Sequence, residues 1–293
     1  MGMNKSAIAW LALAAILIHL GAPSAKAWGP KGHRVVAHIA ELRLSEDAHR
    51  ALSQILEAHE QISDNYICNW PDYVRRDMPE TGPWHFVDIP FEATSYDPKR
   101  DCPDGQCIIY QIDEMAKIVA DTTKPLADRH VALRFLVHML GDIHQPLHCI
   151  EYDLDRGGNE RLVNFPGQSQ PARLHAVWDS HLVTAAMGAL GALEYADKLN
   201  EKISNRRARH WAKGTAEDWA LDSHDIAHDH AYSVLPEKNG PPLDLDNEYV
   251  KANKKIVEVQ LMKGGIRLAT LLNRILEPIA SANLQELIPA PSE

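Results

Sequence analysis

Two short patterns place chemistry on helix faces: His138-x-x-x-Asp142 and His175-x-x-x-Asp179. A spacing of four sets an imidazole and a carboxylate side by side on one face. The first pair lies in an otherwise apolar stretch, where polar groups are costly to bury without a partner or a metal. Beyond Asp142 the chain reads Ile-His-Gln-Pro-Leu-His148, which can turn a further imidazole back. Upstream stand Trp70-Pro-Asp72, Trp84-His85-Phe-Val-Asp88, His33 and Trp28. One His–Asp pair alone reads most simply as a hydrogen bond. The whole set reads as ligands for zinc in a hydrolytic site, because it offers imidazoles and carboxylates without cysteine.

The elements that must position these residues are mostly helical. Val35, Val36, Ile39 and Ala40 recur at helical spacing, and Ser45-Glu-Asp offers a cap for a second helix. Residues 60–108 are rich in Pro, Asp, Asn and Gly and read as an irregular stretch. A long buried helix is expected from about Pro125 to Ile143, stopped by Pro146. Arg161–Phe165 is a possible strand, and helices are expected at about 173–199, 201–231 and 245–276. There is no internal repeat and no compositional boundary, so one mainly α domain with a small β element is expected. His224-x-x-x-His228-x-His230 also has metal spacing. It reads as a solvated helix face because acidic residues alternate around it. His144 is separated from His148 by Pro146, and His38 reads as a helix-packing residue.

The chain has 293 residues, 30 basic and 40 acidic, with 16 His and 4 Cys, for a formal charge of −10. Residues 1–27 have a basic start, an apolar run from Ala7 to Leu20 and a small-residue end at Ala27, as in a cleavable signal peptide. Their loss removes Lys5, Lys26 and His19 and makes the charge −12. A mature protein over 28–293, periplasmic or secreted and with no membrane span, is expected. The acidic balance argues against a broad basic nucleic-acid surface, but not against phosphate met through metal. Cys102-Pro-Asp-Gly-Gln-Cys107 encloses a turn that suits a local disulfide, which would leave Cys68 and Cys149 for a second. Four cysteines allow three pairings, and spacing does not choose among them.

The motifs Gly-Asp142-Ile-His-Gln-Pro-Leu-His148 and Leu-His175-Ala-Val-Trp-Asp179 resemble those of the S1/P1-type zinc nucleases, relatives of zinc-dependent phospholipase C. Gly157-Gly158-Asn159 and Gly264-Gly265-Ile-Arg267 also look familial. The resemblance is dense over residues 28–180 and implies that family's helical fold. It implies three zinc ions per chain. Asp72, His85, His138 and Asp142 would hold the first, and His148, His175 and Asp179 the second. Trp28, through its amino group and carbonyl after cleavage at Ala27, would hold the third with His33 and Asp142. Three Zn²⁺ against three Asp would make the site locally positive within an acidic protein. With Cys68 close before Asp72 and Cys149 directly after His148, such a cluster is expected to bring those two sulfurs together as a bridge.

The resemblance also implies roles around the metals. Asp88 would orient the attacking water, its competing role being a hydrogen bond to a ligand histidine. Arg75 would stabilise the transition state beside the phosphate, its competing role being an ion pair with Asp72 or Asp77. Phe86 is a candidate base-stacking surface, Asn159 a base-edge reader or a turn brace, and His181 a rim residue within reach of substrate. The implied activity is endonucleolytic cleavage of single-stranded DNA and RNA at the P–O3′ bond to leave 5′-phosphates. Removal of 3′-phosphate from mononucleotides is implied as well, by a monomeric enzyme. Alternatives are a phospholipase C or phosphomonoesterase on the same scaffold, or a non-catalytic zinc-binding protein.

Overall fold

The computed structural model describes residues 28–286; the expected leader, residues 1–27, lies outside them, as do the last seven residues. The first half holds α1 (Pro30–Glu41), α2 (Glu46–Leu52), α3 (Asn65–Cys68), α4 (Trp70–Val74), α5 (Pro98–Asp101), α6 (Ile108–Ala120) and α7 (Leu126–Asp142). Next come β1 (Leu162–Asn164), β2 (Ala172–Arg173), α8 (Leu174–Ala176), α9 (Leu182–Met187), α10 (Ala192–Glu201), α11 (Asn205–Trp211) and α12 (Ala216–Ile226). The chain closes with β3 (Leu243–Asp244) and α13 (Asn247–Glu286). The fold is thus mainly α, with a three-stranded sheet in the order β2-β1-β3. β1 runs antiparallel to β2, with Leu162 opposite Arg173, and parallel to β3, with Val163 opposite Leu243.

Local chemistry accounts for most element boundaries. Pro30 opens α1, where its missing N–H costs nothing, and the Ser45 hydroxyl accepts the Ala48 N–H to cap α2. Thr215 and Asp218 cap α12 reciprocally. The 60–108 stretch is less irregular than its composition suggests. Pro71, Pro79, Pro98 and Pro103 each sit in the opening turn of a short helical segment, so residues that read as breakers act as starters. The expected helix over 173–199 is instead broken after α9 by Gly188, and that over 201–231 between α11 and α12 by Gly214. Both glycines are left-handed, with φ of 62° and 93°. The last helix runs on to Glu286 through Pro278.

The core lies where α1, α7 and α13 meet. α7 is buried on nearly every side from Leu133 to Asp142 and packs on α6, α1 and α13. α1 packs most extensively on α13. Gly264 and Gly265 permit that approach: a Cβ at Gly265 would lie 2.4 Å from Ile39 Cγ2, and one at Gly264 would press on Val36. No helix among the described residues is long and apolar enough to cross a membrane.

Cys102 and Cys107 form the expected local disulfide. The expected Cys68–Cys149 bridge is corrected, since both are free, buried thiols. The Cys149 thiol donates to Ile143 O at 3.5 Å, and Cys68 Sγ accepts from Asn69 Nδ2 at 3.3 Å. The ligands near them converge through ring and carboxylate atoms, while each sulfur turns back to its own segment. Burial pushes both thiols up, out of the reactive range.

Candidate active site

His138 and Asp142 lie on the last turns of α7 with no exposure, and His33 projects from the first turn of α1 onto them. The ring of His33 stacks on His138 at 3.9 Å, and its Nε2 is 3.2 Å from Asp142 Oδ1. Gly141 makes room for this: a Cβ there would lie 2.5 Å from His33 Nδ1. Asp72, from α4, and His85, from the 3₁₀ turn Pro79–His85, close the other side. His85 Nδ1 stands 2.9 Å from Asp142 Oδ2 and 3.1 Å from His138 Nε2.

His148, from the 3₁₀ turn Pro146–His148, faces His175 of α8. Asp179 follows in the π-helical turn Val177–His181, which Trp178 Nε1 anchors by donating to Tyr249 Oη on α13 at 3.0 Å. Gln145 Nε2 donates to Asp179 Oδ1. Trp28 is fully buried just ahead of α1, and the Gly29 N–H donates to Asp179 O at 2.8 Å, tying the start of α1 to this turn.

Ligand atoms thus gather into three groups, each within 4.8 Å: His33, His138 and Asp142; Asp72, His85 and His138; and His148, His175 and Asp179. The sharing of His138 makes the first two contiguous. All eight side-chain ligands expected from the sequence fall in these groups.

The donor set fits a cation. His138, His148 and His175 each donate Nδ1–H to a backbone carbonyl at 2.7 Å, those of Cys68, His85 and Gly157 respectively. Their Nε2 atoms are therefore left as acceptors when the rings are neutral. His148 Nε2 and His175 Nε2 lie only 3.1 Å apart. Burial pushes His148 down to about 3 and His175 to about 4, so two lone pairs face one another at neutral pH. That arrangement calls for a positive charge between them. Both Asp72 oxygens, Asp142 Oδ1 and His85 Nε2 are also buried without hydrogen-bond partners among the described residues.

The two i,i+4 pairs differ in charge. Burial opposes ionisation at His138, but Asp142 and Asp72 outweigh it and raise the ring to about 9. Burial likewise opposes the Asp142 carboxylate, but His138 and His33 hold it well below the ordinary range. Asp179 is raised well above that range by burial.

A cleft of about 660 Å³, open mouth included, lies over the groups. It is lined by Arg75, His85, Phe86, Asp88, Leu147, His148, Glu151, Arg156, Gly157, Asn159 and His175. Two chain segments form its walls, joined where Val87 N–H donates to His148 O and Phe91 N–H to Glu151 O. Arg75 Nη1 is 3.8 Å from Asp72 Oδ1. Loss of solvent in the cleft, and then Asp101 and Asp155, push Asp88 up to about 6 despite Arg156. Glu151 rises to about 7, from burial and then Asp88.

Asn159 lines the cleft and also braces its turn, its Nδ2 donating to Arg156 O at 2.8 Å. His181 does not line the cleft; its ring packs on Phe165. Of the decoys, His144 has both nitrogens engaged, Nδ1 by Leu140 O and Nε2 by Arg267, so it has no atom for a metal. His224 is buried against Pro90 O, not solvated as its pattern suggests, while His228 is exposed beside Phe91. Sequence reasoning missed Glu151 and Arg156. The run of turn-forming residues from Asp153 to Gly158 was their only signal.

Comparison with known proteins agrees with this geometry. The S1/P1 Nuclease family model matches residues 28–277. Endonuclease 2 of Arabidopsis thaliana is 33% identical over 275 residues, covering 87% of this chain and 92% of that protein. Nuclease P1 of Penicillium citrinum is 31% identical over 273 residues, covering 85% and 97%. Nuclease S1 of Aspergillus oryzae is 30% identical over 273 residues, covering 85% and 91%.

Proposed function

The chain belongs to the S1/P1 nuclease family and is a phosphodiester hydrolase, and from that premise we propose a three-zinc endonuclease acting on single-stranded DNA and RNA. It breaks the P–O3′ bond, leaves 5′-phosphates, and removes 3′-phosphate from mononucleotides. The observation that carries this reading is the convergence of three ligand groups beneath one cleft whose walls hold Arg75 and Asp88.

Asp72, His85, His138 and Asp142 hold one zinc, and His148, His175 and Asp179 a second. His33 and Asp142 hold the third with the amino group and carbonyl of Trp28. Bound zinc supplies an acidified water and positive charge at phosphate. The protein's own groups do the rest. The Asp88 carboxylate accepts a hydrogen bond from the attacking water and aims it. The Arg75 guanidinium, kept in place by Asp72, donates to a non-bridging phosphate oxygen as charge builds there. Phe86 gives a flat face on which an unpaired base stacks, a fit that a duplex resists. A free amino group at Trp28 requires removal of residues 1–27, which accords with export to the periplasm or medium.

The test combines metal analysis with parallel assays on single-stranded DNA, RNA, a 3′-mononucleotide and phosphatidylcholine. Near three zincs per chain and 5′-phosphate ends are expected. Lipid cleavage without nucleotide release would overturn the reading in favour of a phospholipase on the same scaffold.

A further inference from the structure

The segment 151–161 carries two arginines with opposite situations. Arg161 is buried and consumed: it is paired with Asp155, donates to Pro236 O, and lies over the rings of Tyr152 and Tyr232. Arg156 lines the cleft and is exposed, and no carboxylate among the described residues lies within 4 Å of its guanidinium. The carboxylates of its own segment are engaged elsewhere, and Asp88 across the cleft feels its charge without an ion-pair contact. Glu151 Oε1 accepts the Arg156 backbone N–H at 3.3 Å, and Asp155 is held by Arg161 and the Tyr232 hydroxyl.

The backbone beneath that free charge is fixed. Arg156 has a φ of 58°, a left-handed conformation that suits glycine better than arginine. Its carbonyl accepts Asn159 Nδ2 and its N–H is taken by Glu151. Lys238 Nζ donates to Asp153 O, and the Asn239 N–H to Glu160 O, bracing the segment from outside. The chain thus holds a long cationic side chain over the cleft from a strained position that glycine would occupy more cheaply. Arg75 also lines the cleft but is tied to Asp72, within the ligand groups, and both arginines lie close enough to His175 to depress it. The two cations therefore differ in attachment: Arg75 is bound into the ligand groups, and Arg156 is left to meet a group beyond them.

We propose that Arg156 grips a backbone phosphate of a polynucleotide, on a nucleotide flanking the one being cleaved, and so sets the preference for polymer over mononucleotide. This rests on the nuclease reading above. A guanidinium is suited to the task because its planar fork pairs with two phosphate oxygens at once.

The test compares Arg156→Gly, Arg156→Lys and the parent enzyme on a single-stranded oligonucleotide and a 3′-mononucleotide. Glycine fits the left-handed backbone, so the deletion should fold and keep its zinc. The ratio of kcat/KM for oligonucleotide over mononucleotide should fall about tenfold in Arg156→Gly, through KM. The slope of log KM against log salt should shrink by about 0.7, one phosphate contact on a single strand. Arg156→Lys should recover most of the salt slope. An unchanged ratio, or equal losses on both substrates, would overturn the proposal. A lower ratio with an unaltered salt slope would also overturn it, pointing to stacking on a base. A parent enzyme that cleaves neither substrate would instead fail the nuclease reading itself.

Discussion

His138–Asp142 and His175–Asp179 have the same residue types at the same spacing, yet the fold makes different objects of them. The first pair ends a regular seventeen-residue helix in the core. The second straddles the junction of a three-residue helix and a π-helical turn at the cleft wall. Around Asp142 stand three imidazoles, and Asp72 adds a second carboxylate, so the deep pair is ionised before any metal arrives. Around Asp179 there is one amide donor and two neutral rings, so the wall pair forms no such ion pair. Spacing specifies that two ligands meet. The company they keep decides their protonation, and how much else depends on them.

The sharpest way to break this comparison is to delete one carboxylate from each pair. Asp142→Ala should empty two metal positions and abolish activity. It leaves His138 buried without its main counter-charge, at a cost of about 3–5 kcal/mol, visible as a large drop in Tm. Asp179→Ala should lose one zinc with a smaller change in Tm. Equal zinc losses in the two variants would mean that the deep and wall groups are not distinct.

Asp88→Asn should lower kcat by about 10²–10⁴-fold with the zinc content retained, since in the proposed arrangement Asp88 aims the water and belongs to no ligand group. A near-parental rate would show that the wall supplies only binding. Two glycines separate the regions more gently. Gly141→Ala drives a Cβ onto His33 and should cost one deep zinc. Gly157→Ala meets Leu147 O at 2.3 Å from a left-handed backbone and should loosen the wall zinc, costing about 1–2 kcal/mol. Element-resolved metal titration of both variants checks the assignment, which fails if each loses the other's metal. The smallest effect is on pH dependence. Below about 6 the Asp88 carboxyl is protonated, which leaves it a weaker acceptor for the water and adds a competing O–H donor. kcat/KM should therefore rise with pH through that value and then level, and Asp88→Asn should lack that limb.

The sequence pattern carried the deep group well, because α7 is long and periodic and its ligands are four apart. It carried the wall less well. Glu151 reaches the cleft through a bridge between Pro90 and Glu151, and Arg156 through a string of left-handed residues. No periodicity announces either. The π-helical turn at Val177–His181 is invisible for a similar reason: a single extra residue per turn leaves the i,i+4 pattern legible while changing what it is attached to. Cys68 and Cys149 adjoin ligand-bearing segments that converge, but each sulfur is engaged by its own segment, which spacing does not reveal. The burial of His224 is not legible locally, because it depends on Pro90, a contact more than a hundred residues away.

The close approach of α1 to Gly264 and Gly265 has a bearing on assembly in time. α1 bears His33, and its largest partner is a helix more than two hundred residues later in the chain. Closing so long a loop is slow and can be rewarded only once the distant helix has formed. The histidine nearest the start of the described chain should therefore take its place among the last, and a partly made or partly refolded protein should lack the complete deep ligand set.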